Sequence, residues 1–137
     1  MGIYLDNAAT TRPLGDVLAY HAENWYNPSC AYSPAESVFK SLGETRKLLK
    51  ETIGLRGGGC VFTSGGTEAN NTCILSCLRK GAHYITSTIE HPSVYEAFAY
   101  IEQQGARVSY IKPRGFCVQA KDVAAKVDDD TALVSIM

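Results

Sequence analysis

Apolar residues recur along the chain at two alternating periods. Between Ser33 and Gly54, the residues Val38, Phe39, Leu42, Leu48, Leu49 and Ile53 fall at helical spacing and predict one amphipathic helix. Ser33 is placed to cap that helix, Pro34 suits its first position and Glu36 completes a capping box, with Gly54 as the stop. Downstream, short apolar runs and helical stretches take turns. The pattern predicts a short strand over 60–63, a helix over 67–80 closed by Gly81, and a strand over 83–87. It then predicts a helix over 92–104 closed by Gly105, a strand over 107–111, a helix over 120–127 and a last strand over 131–136. Strand and helix in strict alternation predict an α/β fold, a three-layer αβα arrangement with a mostly parallel sheet. A buried parallel strand ordinarily leads into a loop and a covering helix. A chain that stops on the run Ala132 to Met137 is therefore expected to be part of a longer fold.

Composition narrows the function classes. Apolar residues make up 45% of the 137 positions and charged residues 20%, the balance of a folded globular chain rather than a disordered one. A formal net charge of −1 gives no electrostatic case for nucleic acid or for an anionic membrane. No apolar run has the length of a bilayer span, and Met1 to Asn7 shows no basic stretch followed by an apolar core, so no signal peptide is expected. Five cysteines, an odd number without a tight framework, point to reduced thiols in a cytoplasmic protein.

The strongest local motif is Phe62-Thr63-Ser64-Gly65-Gly66-Thr67-Glu68-Ala69-Asn70-Asn71, expected to run from a strand end into a helix start. Ligands of open parallel sheets bind at that edge. A helix start offers unpaired backbone N–H groups and a dipole that favours an anion. Gly65 and Gly66 let the backbone approach a phosphate, and the Thr67 hydroxyl can donate to one of its oxygens. The plainer reading is an ordinary helix N-terminus capped by Ser64 or Thr67. A dinucleotide fingerprint and a P-loop both fit poorly: the third glycine of the first and the Lys-Ser/Thr pair of the second are missing.

His91 lies just past the strand over 83–87 and immediately before Pro92, at the mouth of the next helix. If the strands over 60–63 and 83–87 are neighbours, His91 and Thr67 share one sheet edge. An imidazole there can lie flat on an aromatic cofactor and exchange protons with its adduct. The competing reading is a helix-capping histidine with its ring in solvent. His21 and His83 have no evident partner and are expected at the surface or at an element boundary. Cys60, Cys73 and Cys77 are expected as small buried apolar side chains, since no further Cys or His completes a metal set. Cys117 is expected in a loop or at a strand edge, and Cys30, beside Asn27-Pro28-Ser29, would need a lowered pKa to act as a reactive thiol.

Taken together, the segments Tyr4-Leu5-Asp6-Asn7-Ala8-Ala9-Thr10-Thr11, Asn27-Pro28-Ser29, Thr63 to Asn71, Glu90-His91-Pro92-Ser93-Val94 and Asp130 to Met137 resemble cysteine desulfurases. These are pyridoxal-phosphate enzymes of the class V aminotransferase group, and the resemblance runs the length of the chain in the same order. The Ser-Gly-Gly-Thr-Glu-Ala-Asn form is most similar to the branch that serves iron–sulfur cluster assembly. The resemblance implies the large domain of fold-type I pyridoxal-phosphate transferases, incomplete here. Residues 1–15 would belong to the small domain and 16–137 to the first portion of the large, cofactor-binding one.

The implied reaction takes L-cysteine to L-alanine. An enzyme cysteine attacks the substrate sulfur and keeps it as a persulfide for an acceptor or scaffold protein. Pyridoxal 5'-phosphate is the electron sink and the protein orients it. By matching positions, Gly66 and Thr67 would hold the phosphate, and His91 would stack on the pyridine ring and assist proton transfer. Residues 6–11 would line the approach to substrate, and residues 27–29 would lie near the active site and dimer region. A homodimer is implied, with neither metal, nucleic acid nor membrane as partner. Two departures stand out: Tyr32 occupies a position where the family usually carries His, and the loop from Ile111 to Phe116 is shorter than its counterpart. None of Lys40, Lys47, Lys50, Lys80, Lys112, Lys121 and Lys126 sits in the context of the family's cofactor lysine, so that lysine and the reactive cysteine are expected outside this chain. By itself the chain is then expected to be inactive. The alternatives are a non-catalytic truncation or split-enzyme half, or a related selenocysteine lyase.

Overall fold

The computed structural model describes residues 2–137. The chain divides into two compact units, Met1–Val61 and Phe62–Met137. The first holds two helices, α1 (Gly15–Glu23) and α2 (Ser33–Thr52). They are tied by a 2.7 Å hydrogen bond between the Tyr20 hydroxyl and Ser41 Oγ. α2 ends as its glycine requires: Gly54 adopts φ 69°, a left-handed conformation that stops a helix. Its start differs from expectation. Tyr32 is the N-cap and makes no side-chain capping bond, while Ser33 is already helical. Of the described residues in this unit only Ala35 is buried; Phe39, Leu48, Leu49 and Ile53 are exposed, so the apolar stripe of α2 covers no core here.

The second unit carries α3 (Gly66–Ser76), β1 (His83–Ser87), α4 (Pro92–Gln103), β2 (Arg107–Ile111), α5 (Ala120–Ala124) and β3 (Thr131–Ser135). The strands form one sheet in the order β2-β1-β3, and both pairings are parallel. Tyr84 of β1 stands level with Val108 and with Leu133, so all three share a face. Against that face pack Ile74 of α3 and Val94, Ala97, Phe98 and Ile101 of α4, forming the core. Tyr84 and Phe98 are fully buried and meet edge-on, with ring centroids 6.5 Å apart. The pattern predicts α/β, and α/β with a parallel sheet is what forms.

Several element limits were misplaced, each for a local reason. Residues 60–63 form no strand, and Val61 is 82% exposed. α3 stops at Ser76 rather than Lys80. The buried Tyr84 hydroxyl donates to the Cys77 carbonyl (2.6 Å) and accepts from the Arg79 N–H (2.8 Å), claiming backbone groups the helix would have used. α5 is a single short turn, ending before Ala125. Cys73 and Cys77 are exposed and Cys60 is half-buried, against the expectation of buried thiols. His83 is the opposite surprise. It is 2% exposed, its Nδ1 lies 3.1 Å from Asp128 Oδ2, and its Nε2 lies 2.8 Å from Ser109 Oγ.

Candidate functional site

The start of α3 is built by its own sequence. Gly65 is the N-cap, with extended backbone, and its carbonyl accepts the first helical bond from the Ala69 N–H at 3.1 Å. No side chain caps this helix, so neither Ser64 nor Thr67 plays that part. The Ser64 N–H and hydroxyl instead donate to Glu68 Oε2, at 2.7 and 2.6 Å, and these two bonds hold the carboxyl below the usual carboxylate range. The Thr63 hydroxyl donates to the Gly65 carbonyl at 3.0 Å. The turn is thus folded back on itself on one side, while Thr67 is exposed beside the uncapped helix start. A Cβ built on Gly65 or Gly66 would meet nothing within 4 Å, and neither glycine is in the left-handed region. The protein's own packing therefore does not require these glycines; they leave open space over the helix N-terminus, where an anion can meet backbone N–H groups.

His91 forms the second part. It is the N-cap of α4, with Nδ1 accepting from the Ser93 N–H at 3.1 Å. Pro92 follows in the first turn, where its missing N–H costs nothing. The loop carrying His91 is anchored by Glu90, whose Oε1 accepts from the Ser87 hydroxyl at the end of β1 and from the Met137 N–H at 2.7 Å. The residue as a whole is exposed. Capping and a cofactor role are therefore not rivals: the cap occupies Nδ1 and leaves the ring face and Nε2 available.

The two helix starts are joined directly. Asn70 of α3 donates from Nδ2 to Ser93 Oγ at 2.9 Å, and Asn71 donates to the Thr67 carbonyl at 2.8 Å and reaches the Ser93 carbonyl at 3.5 Å. The expected route to this meeting, two neighbouring strands, does not exist; the helices make it instead. Asn70 and Ser93 lie inside motifs the sequence displays, yet sequence reasoning gave them no role. The available signal was Ser93 at the second helical position after a capping His, and Asn70 one turn into α3.

The other quoted segments lie in the first unit. Residues 6–11 form an exposed turn closed by the Ala9 N–H on the Asp6 carbonyl at 3.1 Å. Asn27 folds its own loop, its Oδ1 accepting from the Ser29 N–H at 3.0 Å. Cys30 beside it is exposed, as are Tyr32 and Cys117. No helix among the described residues is long and apolar enough to cross a membrane.

A parallel sheet flanked by an uncapped helix start and a histidine-capped one is an open α/β fold. The chain belongs to the class-V aminotransferase family, whose profile matches residues 3–137. A cysteine desulfurase IscS of Methanosarcina thermophila is 35% identical over 144 residues, covering 98% of this chain and 36% of that protein. A cysteine desulfurase IscS of Clostridium botulinum is 33% identical over 145 residues, with the same coverage. Among solved structures, a NifS-like protein superimposes with TM-score 0.88 at 31% identity over 100% of this chain and 40% of its own. A structure of SspA in complex with cysteine superimposes with TM-score 0.83 at 29% identity, over 97% and 41%. The chain thus spans little more than a third of the length of the curated relatives it matches.

Proposed function

We propose that this chain supplies the phosphate- and ring-binding part of a pyridoxal-phosphate-dependent cysteine desulfurase, which takes sulfur from L-cysteine and releases L-alanine. The observation that carries the proposal is the pairing of the open α3 start with His91, through Asn70 and Ser93, in a chain of this family. The donor set fits the cofactor. Backbone N–H groups at Gly66 and Thr67 and the Thr67 hydroxyl suit a phosphate dianion, and the exposed face of His91 suits a flat heteroaromatic ring. Pyridoxal phosphate supplies an electron sink when bound. Gly66 and Thr67 bind and orient its phosphate end. His91, with Nδ1 held by Ser93, presents Nε2 as the atom that carries and gives up a proton. Transfer of the sulfur to an acceptor protein for iron–sulfur cluster assembly, in a cytoplasmic homodimer, belongs to the same proposal. The names of the relatives and the cysteine-bound structural neighbour support the desulfurase reaction and its substrate.

The test is Thr67→Ala in the full-length protein, with cofactor retention followed by dialysis and absorbance. Loss of one hydrogen bond to a charged group is worth about 1.5–3 kcal/mol, so retention should weaken about 10- to 150-fold. Unchanged affinity would defeat the phosphate assignment.

A further inference from the structure

The protons around His91 can be counted. Its Nδ1 receives the Ser93 backbone N–H at 3.1 Å, and an N–H can only donate, so Nδ1 carries no proton. The neutral ring then holds its proton on Nε2. Ser93 Oγ lies 2.7 Å from the same Nδ1, so the hydroxyl must donate there as well. With its single proton so committed, Ser93 Oγ is left as an acceptor, and Asn70 Nδ2 meets it at 2.9 Å. The result is a one-way relay from α3 to α4: Asn70 N–H to Ser93 oxygen, Ser93 O–H to His91 nitrogen. Ser93 is buried at 9% exposure and Asn70 is half-buried, so water competes weakly for these bonds. His91 itself is exposed, and an exposed imidazole without such partners would rotate and exchange tautomers freely.

We infer that Asn70 and Ser93 are positioning residues that hold His91 as the Nε2–H tautomer with its ring fixed in orientation; their catalytic consequence rests on the cofactor assignment made for His91. Asn70 is on the helix whose start would receive the phosphate. One rigid element therefore sets both ends of the site, the anion cradle directly and the imidazole through Ser93. A bound cofactor would then meet an imidazole whose Nε2 already carries its proton.

The experiment reads the imidazole rather than turnover. In the chain labelled with 15N-histidine and free of cofactor, His91 is assigned by its disappearance in His91→Asn, and its two ring nitrogens are observed above the titration range of free histidine. The expected spectrum has a pyridine-like Nδ1 and a pyrrole-like Nε2. Ser93→Ala, which leaves only the backbone N–H of position 93 on Nδ1, should bring the two shifts part of the way toward one another, Ser93→Thr should restore their separation, and Asn70→Asp should mimic Ser93→Ala, because a carboxylate would draw the Ser93 hydroxyl proton to itself. A pyrrole-like Nδ1 in the wild type, or a separation untouched by Ser93→Ala and Asn70→Asp, would overturn the inference. In the full-length loaded protein, Ser93→Ala should lower turnover with cofactor retention unchanged and Ser93→Thr should recover it; full turnover in Ser93→Ala would overturn the positioning role. A wild type that retains no cofactor would sink the functional proposal instead, and the apo spectra keep the two failures apart.

Discussion

Replacing His91 by Ala removes two things at once, the cap of α4 and the imidazole, and replacing it by Asn removes only one. Asn is among the best N-cap residues, and its side-chain oxygen can accept the Ser93 N–H that Nδ1 now accepts at 3.1 Å. Loss of a capping acceptor costs about 0.5–2 kcal/mol, which corresponds to about 2- to 30-fold faster opening of the first helical turn. The amides to watch are Ser93, bonded to the ring, and Val94 and Tyr95, bonded to the His91 carbonyl at 2.9 and 3.0 Å. Hydrogen exchange at these positions should quicken by that factor in His91→Ala and stay near the wild-type rate in His91→Asn. Both variants should lose turnover in the full-length protein. If His91→Asn frays the turn as much as Ala does, the cap is not what holds this loop. If it retains turnover, the imidazole carries no chemistry and the site has been misread.

Two further outcomes test the scaffold. Phe98→Ala opens a cavity under the fully buried Tyr84 and should cost about 3–5 kcal/mol, seen as a lower urea midpoint; a shift under 1 kcal/mol would mean this core is not packed as described. The Arg107 guanidinium, with help from Thr131 and His83, pulls the Asp128 carboxyl down to about 2. Because that value is below the value in an unfolded chain, the stabilisation is present above about pH 4 and is lost as pH falls through about 2. Asp128→Asn should therefore unfold in less urea at pH 7, with the difference shrinking toward pH 2; a gap independent of pH would remove the ionised carboxyl from the account.

Much of this was legible in the sequence because it is locally encoded. Gly105 ends α4 with φ 90°, and Pro92 and the capping His91 begin it, so its limits fell within a residue of the pattern. β1 and β2 were likewise readable as short apolar runs closed by turn residues. What failed was whatever depends on a distant partner. The run over 60–63 has strand composition, but a strand exists only where a neighbour takes its N–H and C=O groups. The stripe of α2 has helical spacing, yet burial is a property of the surface laid against it. His83 looked idle because Ser109 and Asp128 reach it through the sheet and not along the chain. The candidate site shows the same division: Thr67 and His91 stand in recognisable motifs, whereas the bonds that join their two helices run from Asn70 and Asn71 to Ser93, more than twenty residues away.

The ring of His83 reaches three groups at the amino end of the sheet: Ser109 in β2, Asp128 in the turn before β3, and Thr131 at the start of β3. It sits where β1 and β3 slip register, between the pairings of His83 with Thr131 and of Tyr84 with Leu133. A one-residue shift of either outer strand would turn its whole inward set outward, and would part this imidazole from its partners on both strands. The sheet is therefore keyed at its amino end, away from the edge where His91 stands. Loops at the carboxyl end can therefore change without altering how the strands line up.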